Sequence, residues 1–263
     1  MSVSSPPDVN FWFDKRCARA FWSQCELPPY RELLAHTTEW MAPTRGERWL
    51  DLGCGSGQLT RALWDHSEGQ VASVVAVDCA AANDDAIALL RKSLTPPPSP
   101  ERVSFQQVDF SHGLPAFADG TFHGIVSGLS IQYAQHYDDA EGRWTTQAYD
   151  GILAEARRVL RPGGRFVFSV NVPDPGWLRV AFHGIPGLFR TSKPLKFFRN
   201  SMRMLRYGSW LKQEAVRGRF HYLPADTIGT KLTAAGFERI EHRVSYARQA
   251  FLFRAYRPLS GAA

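Results

Sequence analysis

From about residue 48 to 170, short apolar runs alternate with stretches whose apolar residues recur at helical spacing. That alternation predicts a parallel sheet covered by helices on both faces. Arg48 to Leu52 reads as the first strand, Gln58 to Trp64 as a helix and Ser73 to Val77 as a second, buried β-branched strand. A helix is expected between Asn83 and Leu94, with Asn83 or Asp84 as its cap, until the prolines of TPPPSP end it. Val103 to Val108 and Gly124 to Ser127 are two further strands. Tyr149, Ile152, Leu153, Ala156 and Leu160 form one helical stripe, Arg161 to Gly164 its stop, and Arg165 to Val170 the next strand.

After a long interruption, Pro224 opens a helix carrying Ile228, Leu232 and Ala235, with Gly236 placed to end it and Phe237 to pack back. Strands near Arg239 to Tyr246 and Gln249 to Tyr256 follow. The connection is too short for a parallel crossover, so they form an antiparallel hairpin. The fold class is thus α/β, a doubly wound and mostly parallel sheet with an antiparallel C-terminal hairpin strand. The 263 residues are expected to form one domain, with residues 1–46 as an N-terminal helical cap and 172–222 as a basic helical insertion before the last helix.

Chemistry enters through WLDLGCGSGQLT, where Gly53, Gly55 and Gly57 lie between a strand and a helix. Glycine permits the tight turn and close ligand approach, and the helix start offers unpaired N–H groups. The spacing is GxGxG, not the GxGxxG of dinucleotide sites, and the acidic Asp51 suits an amino-bearing or cationic ligand better than a pyrophosphate. Asp78, ending the second strand, stands where an acid accepts hydrogen bonds from ribose hydroxyls. Asp109 adds a third acid on the same edge of the sheet.

Through DLGCGSG, VVAVD, QQVDF, EARRVLRPGGRFVF and LTAAGF, the chain resembles the class I, Rossmann-like S-adenosylmethionine-dependent methyltransferases over residues 48–171 and 220–257. The resemblance implies S-adenosyl-L-methionine as cofactor. By position, Asp51, Gly53, Cys54, Gly55, Ser56 and Gly57 would surround its methionine part, Asp78 would hold the ribose, and Asp109 would bind the adenine amino group, with Cys79 beside the adenine site. Phe110 would pack on the adenine, and Ser127 and Leu129 would line the methionine end. No metal is implied. Cys17, Cys25, Cys54 and Cys79 form no CxxC pair and read as reduced thiols.

An acceptor that loses a proton benefits from a general base. His136 and Tyr133 in SIQYAQHY and His221 and Tyr222 in RFHYLP are the candidates, each with packing as its alternative role. The amino-group signature, an acid or Asn before Pro-Pro-aromatic, is absent after the fourth strand, where VSGLSIQY stands. This weakens nucleobase amines and glutamine amides as acceptors.

The net charge of +6 is local. Arg179 to Arg219 holds ten basic residues against Glu214, an excess of +9 that leaves the rest of the chain at −3. Lys193 to Tyr207 reads as an amphipathic helix, with Leu195, Phe198, Met202 and Leu205 on one stripe and Lys196, Arg199, Arg203 and Arg206 on the next. A membrane-surface helix, a lid over an apolar pocket and a solvated basic face all fit this pattern. The expected function is therefore methyl transfer to a small, lipophilic acceptor by a cytoplasmic protein, with peripheral contact at the inner membrane face through this helix. An RNA methyltransferase using the insertion on phosphates is the alternative, with nucleic acid the weaker partner; a non-catalytic cofactor-binding partner is a third reading. The aromatics of Asn10 to Trp40 are expected to cover a pocket or to pack as ordinary helix.

Overall fold

The computed structural model describes residues 10–13, 22, 28–176 and 207–259. Strands β1 (Arg48–Leu52), β2 (Ser73–Asp78), β3 (Val103–Gln107), β4 (Phe122–Gly128), β5 (His136–Asp138), β6 (Arg143–Thr145), β7 (Leu160–Asn171), β8 (Glu238–Ser245) and β9 (Ala250–Tyr256) are joined by helices α1 (Pro28–Met41), α2 (Gln58–His66), α3 (Ala82–Ser93), α4 (Gln147–Val159) and α5 (Ala225–Ala234). Seven strands form one sheet in the order β3-β2-β1-β4-β7-β9-β8, and β5 with β6 makes a separate hairpin. Pairing is parallel from β3 through β7, as in Leu50 against Val75 and Ile125. It turns antiparallel at β9, where Phe168 faces Phe253.

Successive side chains leave a strand on opposite faces, so the sheet builds two cores. Leu50, Leu52, Ile125, Phe166 and Phe168 pack against Tyr149, Ile152, Leu153 and Ala156 of α4 and Ile228 and Leu232 of α5. Trp49, Val74, Ala76, Val126 and Val167 pack on the other face against Met41, Leu59, Leu63, Trp64, Ile87 and Leu90. Strand order reverses at β1, between β2 and β4, which opens the crevice at the carboxyl ends where ligands of such sheets bind.

Several boundaries differ from the sequence reading for identifiable reasons. The Arg161 to Gly164 turn joins β7, because Gly163 N–H donates to Arg257 O and Arg257 N–H to Gly164 O, both at 2.9 Å. The β5–β6 hairpin is an addition, closed by Gly142 at φ 64° donating to Asp138 O at 2.8 Å. Helix α3 is capped at Ala81, two residues before Asn83, which frees Asn83 for other bonds. Gly236 does end the last helix, at φ 82°, with Phe237 N–H donating to Leu232 O at 3.0 Å.

The basic helix expected over Lys193 to Tyr207 lies outside the described residues, except Tyr207, which begins a helical run over residues 207–216. Among the described residues no helix is long and apolar enough to cross a membrane. None of their His, Cys, Asp or Glu side chains cluster in threes that could hold a metal ion.

Candidate active site

The glycine loop leaves β1 and turns back on β2. Gly53 N–H donates to Val77 O at 2.8 Å, and Gly53, Gly55 and Gly57 adopt φ of 74°, 50° and 82°, a region that favours glycine. Their roles differ. A Cβ on Gly53 would lie 2.3 Å from Ser130 Oγ, and one on Gly57 2.6 Å from Leu90 Cδ2, whereas one on Gly55 would meet nothing within 4 Å. Gly53 and Gly57 are therefore demanded by packing, and Gly55 borders open space. Ser56 follows it, half-buried, with its Oγ at 3.5 Å from Gln58 Nε2.

Asp51 is fully buried and points at the start of α2. Its Oδ2 accepts from Thr60 N–H at 2.9 Å and Thr60 Oγ1 at 2.7 Å, supplying the cap that Gly57 cannot. Its Oδ1 finds no partner among the described residues. Burial pushes its pKa up to about 7 against the Thr60 bonds, with the Asp78 charge adding to the rise.

Asp78 ends β2 and braces the loop: Oδ2 accepts from Gly55 N–H at 3.0 Å and Oδ1 from Ala80 N–H at 2.9 Å. Burial raises its pKa while these bonds and the Asn83 side chain lower it. Burial also pushes the Cys54 and Cys79 thiols far up, so neither is a nucleophile near neutral pH.

Asp109 follows β3, and its Oδ1 accepts from Ser111 N–H at 3.0 Å. Its Oδ2 accepts from Asn10 Nδ2 at 3.1 Å, which brings the N-terminal segment onto the acid assigned to adenine. Trp22 Nε1 donates to Asn83 Oδ1 at 2.9 Å beside Asp78. The N-terminal residues thus cover this edge, while α1 packs on α2 and the β7–β9 sheet as ordinary helix. Phe110 is nine-tenths buried near Gly53.

The turn after β4 links this loop to an aromatic cluster. Ser127 Oγ and Ser130 Oγ each donate to Leu52 O at 2.8 Å, and Leu129, at φ 53°, is held by its N–H to Ser169 Oγ at 3.1 Å. Ser127 therefore ties β4 to β1. Three residues past Ser130, Tyr133 packs against Trp12 at 4.8 Å, Phe220 at 5.0 Å and Tyr222 at 6.4 Å between centroids. The Tyr133 and Tyr222 hydroxyls lie 3.4 Å apart, and burial raises both pKa values. The two histidines point elsewhere: His136 Nδ1 pairs with Thr145 Oγ1 at 2.9 Å, and the His221 ring stands edge-on to Tyr149. Burial and then the Lys231 charge lower the His221 pKa to about 4.

Asn10, Asn83, Ser130, Asn171, Phe220 and Tyr246 escaped the sequence reading as site residues. Asn171 carried the one usable signal, a polar residue closing the apolar strand RFVFSVN at its carboxyl end.

The chain is similar to known methyltransferases. A methyltransferase-domain family model matches residues 50–168. The ubiquinone/menaquinone biosynthesis C-methyltransferase UbiE of Paracoccus denitrificans is 29% identical over 211 residues, spanning 78% of this chain and 72% of that protein. Its namesake from Brucella anthropi is 27% identical over 212 residues, 78% of this chain and 69% of that protein. Among solved structures, a chain of the complex between the Haloferax volcanii Trm112 methyltransferase activator and a methyltransferase aligns with a TM-score of 0.64 at 16% identity, covering 97% of this chain and 100% of that one. The N-methyltransferase NodS of Bradyrhizobium japonicum, bound to S-adenosyl-L-homocysteine, aligns at 0.56 and 17% identity, covering 90% and 91%. At such identities the solved structures speak to fold.

A Rossmann-like sheet, a glycine loop open at Gly55, an unpartnered Asp51 oxygen and acids after β2 and β3 fit a donor with ribose and amino groups. The methyltransferase-domain match and the UbiE relatives support a class I S-adenosylmethionine-dependent methyltransferase, with S-adenosyl-L-methionine as its cofactor.

Proposed function

We propose that this enzyme methylates a small, lipophilic acceptor held in the aromatic enclosure of Trp12, Tyr133, Phe220 and Tyr222. The observation that carries this reading is the position of the enclosure, three residues from Ser130, which itself abuts Gly53. Two relatives named for ubiquinone/menaquinone biosynthesis support a quinone-related acceptor.

In this proposal Asp78 receives the ribose hydroxyls, Asp109 the adenine amino group, and Phe110 packs on the ring. Gly55 and Asp51 face the methionine end, with Ser127 and Leu129 setting its wall through Ser130. The bound cofactor supplies an already activated sulfonium methyl. The chain's own task is to align the acceptor and exclude water, and orientation of that kind is worth roughly 7–11 kcal/mol of barrier. Tyr133 and Tyr222, with pKa values raised by burial, stay protonated near neutral pH and serve as hydrogen-bonding groups. His136 and His221 would relay a proton only after leaving their present partners. Lys193 to Tyr207 is the segment proposed to meet an anionic bilayer from the cytoplasmic side, and vesicle co-sedimentation at low and high salt tests it.

The central test is methyl transfer from labelled cofactor to short-chain quinols. Trp12→Ala and Phe220→Ala should raise the acceptor KM by about tenfold or more through lost aromatic contact, with S-adenosyl-L-homocysteine affinity unchanged. Absence of transfer to every apolar ring acceptor offered would remove the proposal.

A further inference from the structure

Two buried polar atoms beside the enclosure have no work to do in the described structure. Asn171 closes β7 at its carboxyl end and is 1% exposed; its N–H donates to Gln132 Oε1 at 2.6 Å, yet its Oδ1 has no partner among the described residues. Its side-chain amide lies within reach of the Tyr133 and Tyr222 phenols. Tyr246 is also 1% exposed, and its hydroxyl likewise has no partner among the described residues. That hydroxyl shares the electrostatic environment of Tyr133 and Tyr30.

The backbone that presents Tyr246 is unusual. Tyr246, Ala247 and Arg248 carry φ of 58°, 50° and 65°, three consecutive left-handed residues without a glycine. Side chains disfavour that region, and strain of this kind persists where surrounding structure enforces it. Gln249 does so here. It is 2% exposed, its N–H donates to Tyr246 O at 2.9 Å, its Nε2 to Ala247 O at 3.1 Å, its O accepts from Val172 N–H at 3.1 Å, and its Oε1 accepts from Gly176 N–H. The turn is thereby pinned to the chain just beyond Asn171.

We propose that Asn171 Oδ1 and the Tyr246 hydroxyl are the specificity-determining pair of the acceptor chamber, and that they hold a hydroxyl carried on the acceptor's ring. The inference rests on the lipophilic-acceptor reading above. A carbonyl oxygen such as Asn171 Oδ1 only accepts, so the group it meets must bring an O–H or N–H; the Tyr246 hydroxyl can donate back to the same ligand oxygen. A buried polar atom left unpaired is costly, so a ligand that pairs both atoms is favoured over one of equal shape that cannot. Both atoms are sealed from solvent, so the enclosure must open for the acceptor to reach them.

The test is a matched pair of probes, 4-octylphenol and 4-octylanisole, titrated against the full chain saturated with S-adenosyl-L-homocysteine. The parent should prefer the phenol by about tenfold or more. Asn171→Leu and Tyr246→Phe should each narrow that preference to about threefold or less while leaving S-adenosyl-L-homocysteine affinity unchanged, which a purely structural role would not do. Tyr246→Phe removes only a hydroxyl without a described partner, so it decides the matter if Asn171→Leu does not fold. Equal binding of the two probes by the parent, or a preference kept in the folded variants, overturns the inference and leaves the lipophilic reading standing. Binding of neither probe overturns both.

Discussion

The cofactor end and the proposed acceptor end of this crevice are built by opposite means. Around the glycine loop, Gly53, Asp51 and Asp78 act largely through backbone N–H groups and each other, within some thirty residues of sequence. Around Tyr133, the proposed chamber takes Trp12, Asn171, Phe220, Tyr222 and Tyr246 from four distant segments, and side-chain rings would do the enclosing. A common ligand can be met by a fixed local motif; a particular acceptor is met by residues that only the folded sheet brings together.

Asp78→Ala should break the first half most severely. It removes the acceptor for Gly55 and Ala80 N–H as well as for the ribose, so calorimetry should show cofactor affinity weakened by about 1.5–3 kcal/mol. An unchanged affinity would detach Asp78 from the cofactor altogether.

The loop glycines sharpen the contrast between packing and binding. Gly53→Ala puts a methyl into Ser130 at φ 74° and should cost about 1–3 kcal/mol of stability, read as a fall in Tm. Gly55→Ala meets nothing in the protein, so its melting temperature should drop less while its cofactor affinity falls more. If both variants melt and bind alike, Gly55 does not border the ligand.

Asp51 gives a pH signature. Its folded pKa, pushed up to about 7, exceeds its value in the unfolded chain, so the folded state holds the proton more tightly. Stability from this group is complete below the unfolded pKa and is lost as pH rises through about 7. Asp51→Asn should therefore gain on the parent in urea unfolding as pH increases from 5 to about 8. A cationic ligand group at Oδ1 favours the ionised form, so parental cofactor affinity should rise over the same interval and the Asn variant's should stay flat. A parental affinity independent of pH would mean that Asp51 only caps α2.

How much was legible in the sequence follows the same division. The doubly wound order and the three acids could be read because strand periodicity and the motif are local. Asn83 was assigned to a helix cap, but Ala81 caps α3 and Asn83 turns to Trp22 and Asp78 instead, a choice made by tertiary contact. Ser127, expected to line the methionine end, spends its hydroxyl on Leu52 O. The β5–β6 hairpin has three-residue strands, too short for periodicity to register. Tyr246 could not have been found, since an αL run of Tyr, Ala and Arg contradicts every local preference and exists only because Gln249 holds it.

Asn10 and Trp12 stand two residues apart, one on Asp109 and the other on Tyr133. In the proposed arrangement this single short strap would roof both substrates, and neither could come or go without disturbing the other's cover. The kinetic counterpart is a compulsory order of addition, in which the methyl donor seats first and S-adenosyl-L-homocysteine leaves last. Product inhibition should then show S-adenosyl-L-homocysteine competing with the methyl donor but not with the acceptor; removal of residues 1–28 should make the order random. Competition against both substrates in the intact chain would show that the strap keeps no such sequence.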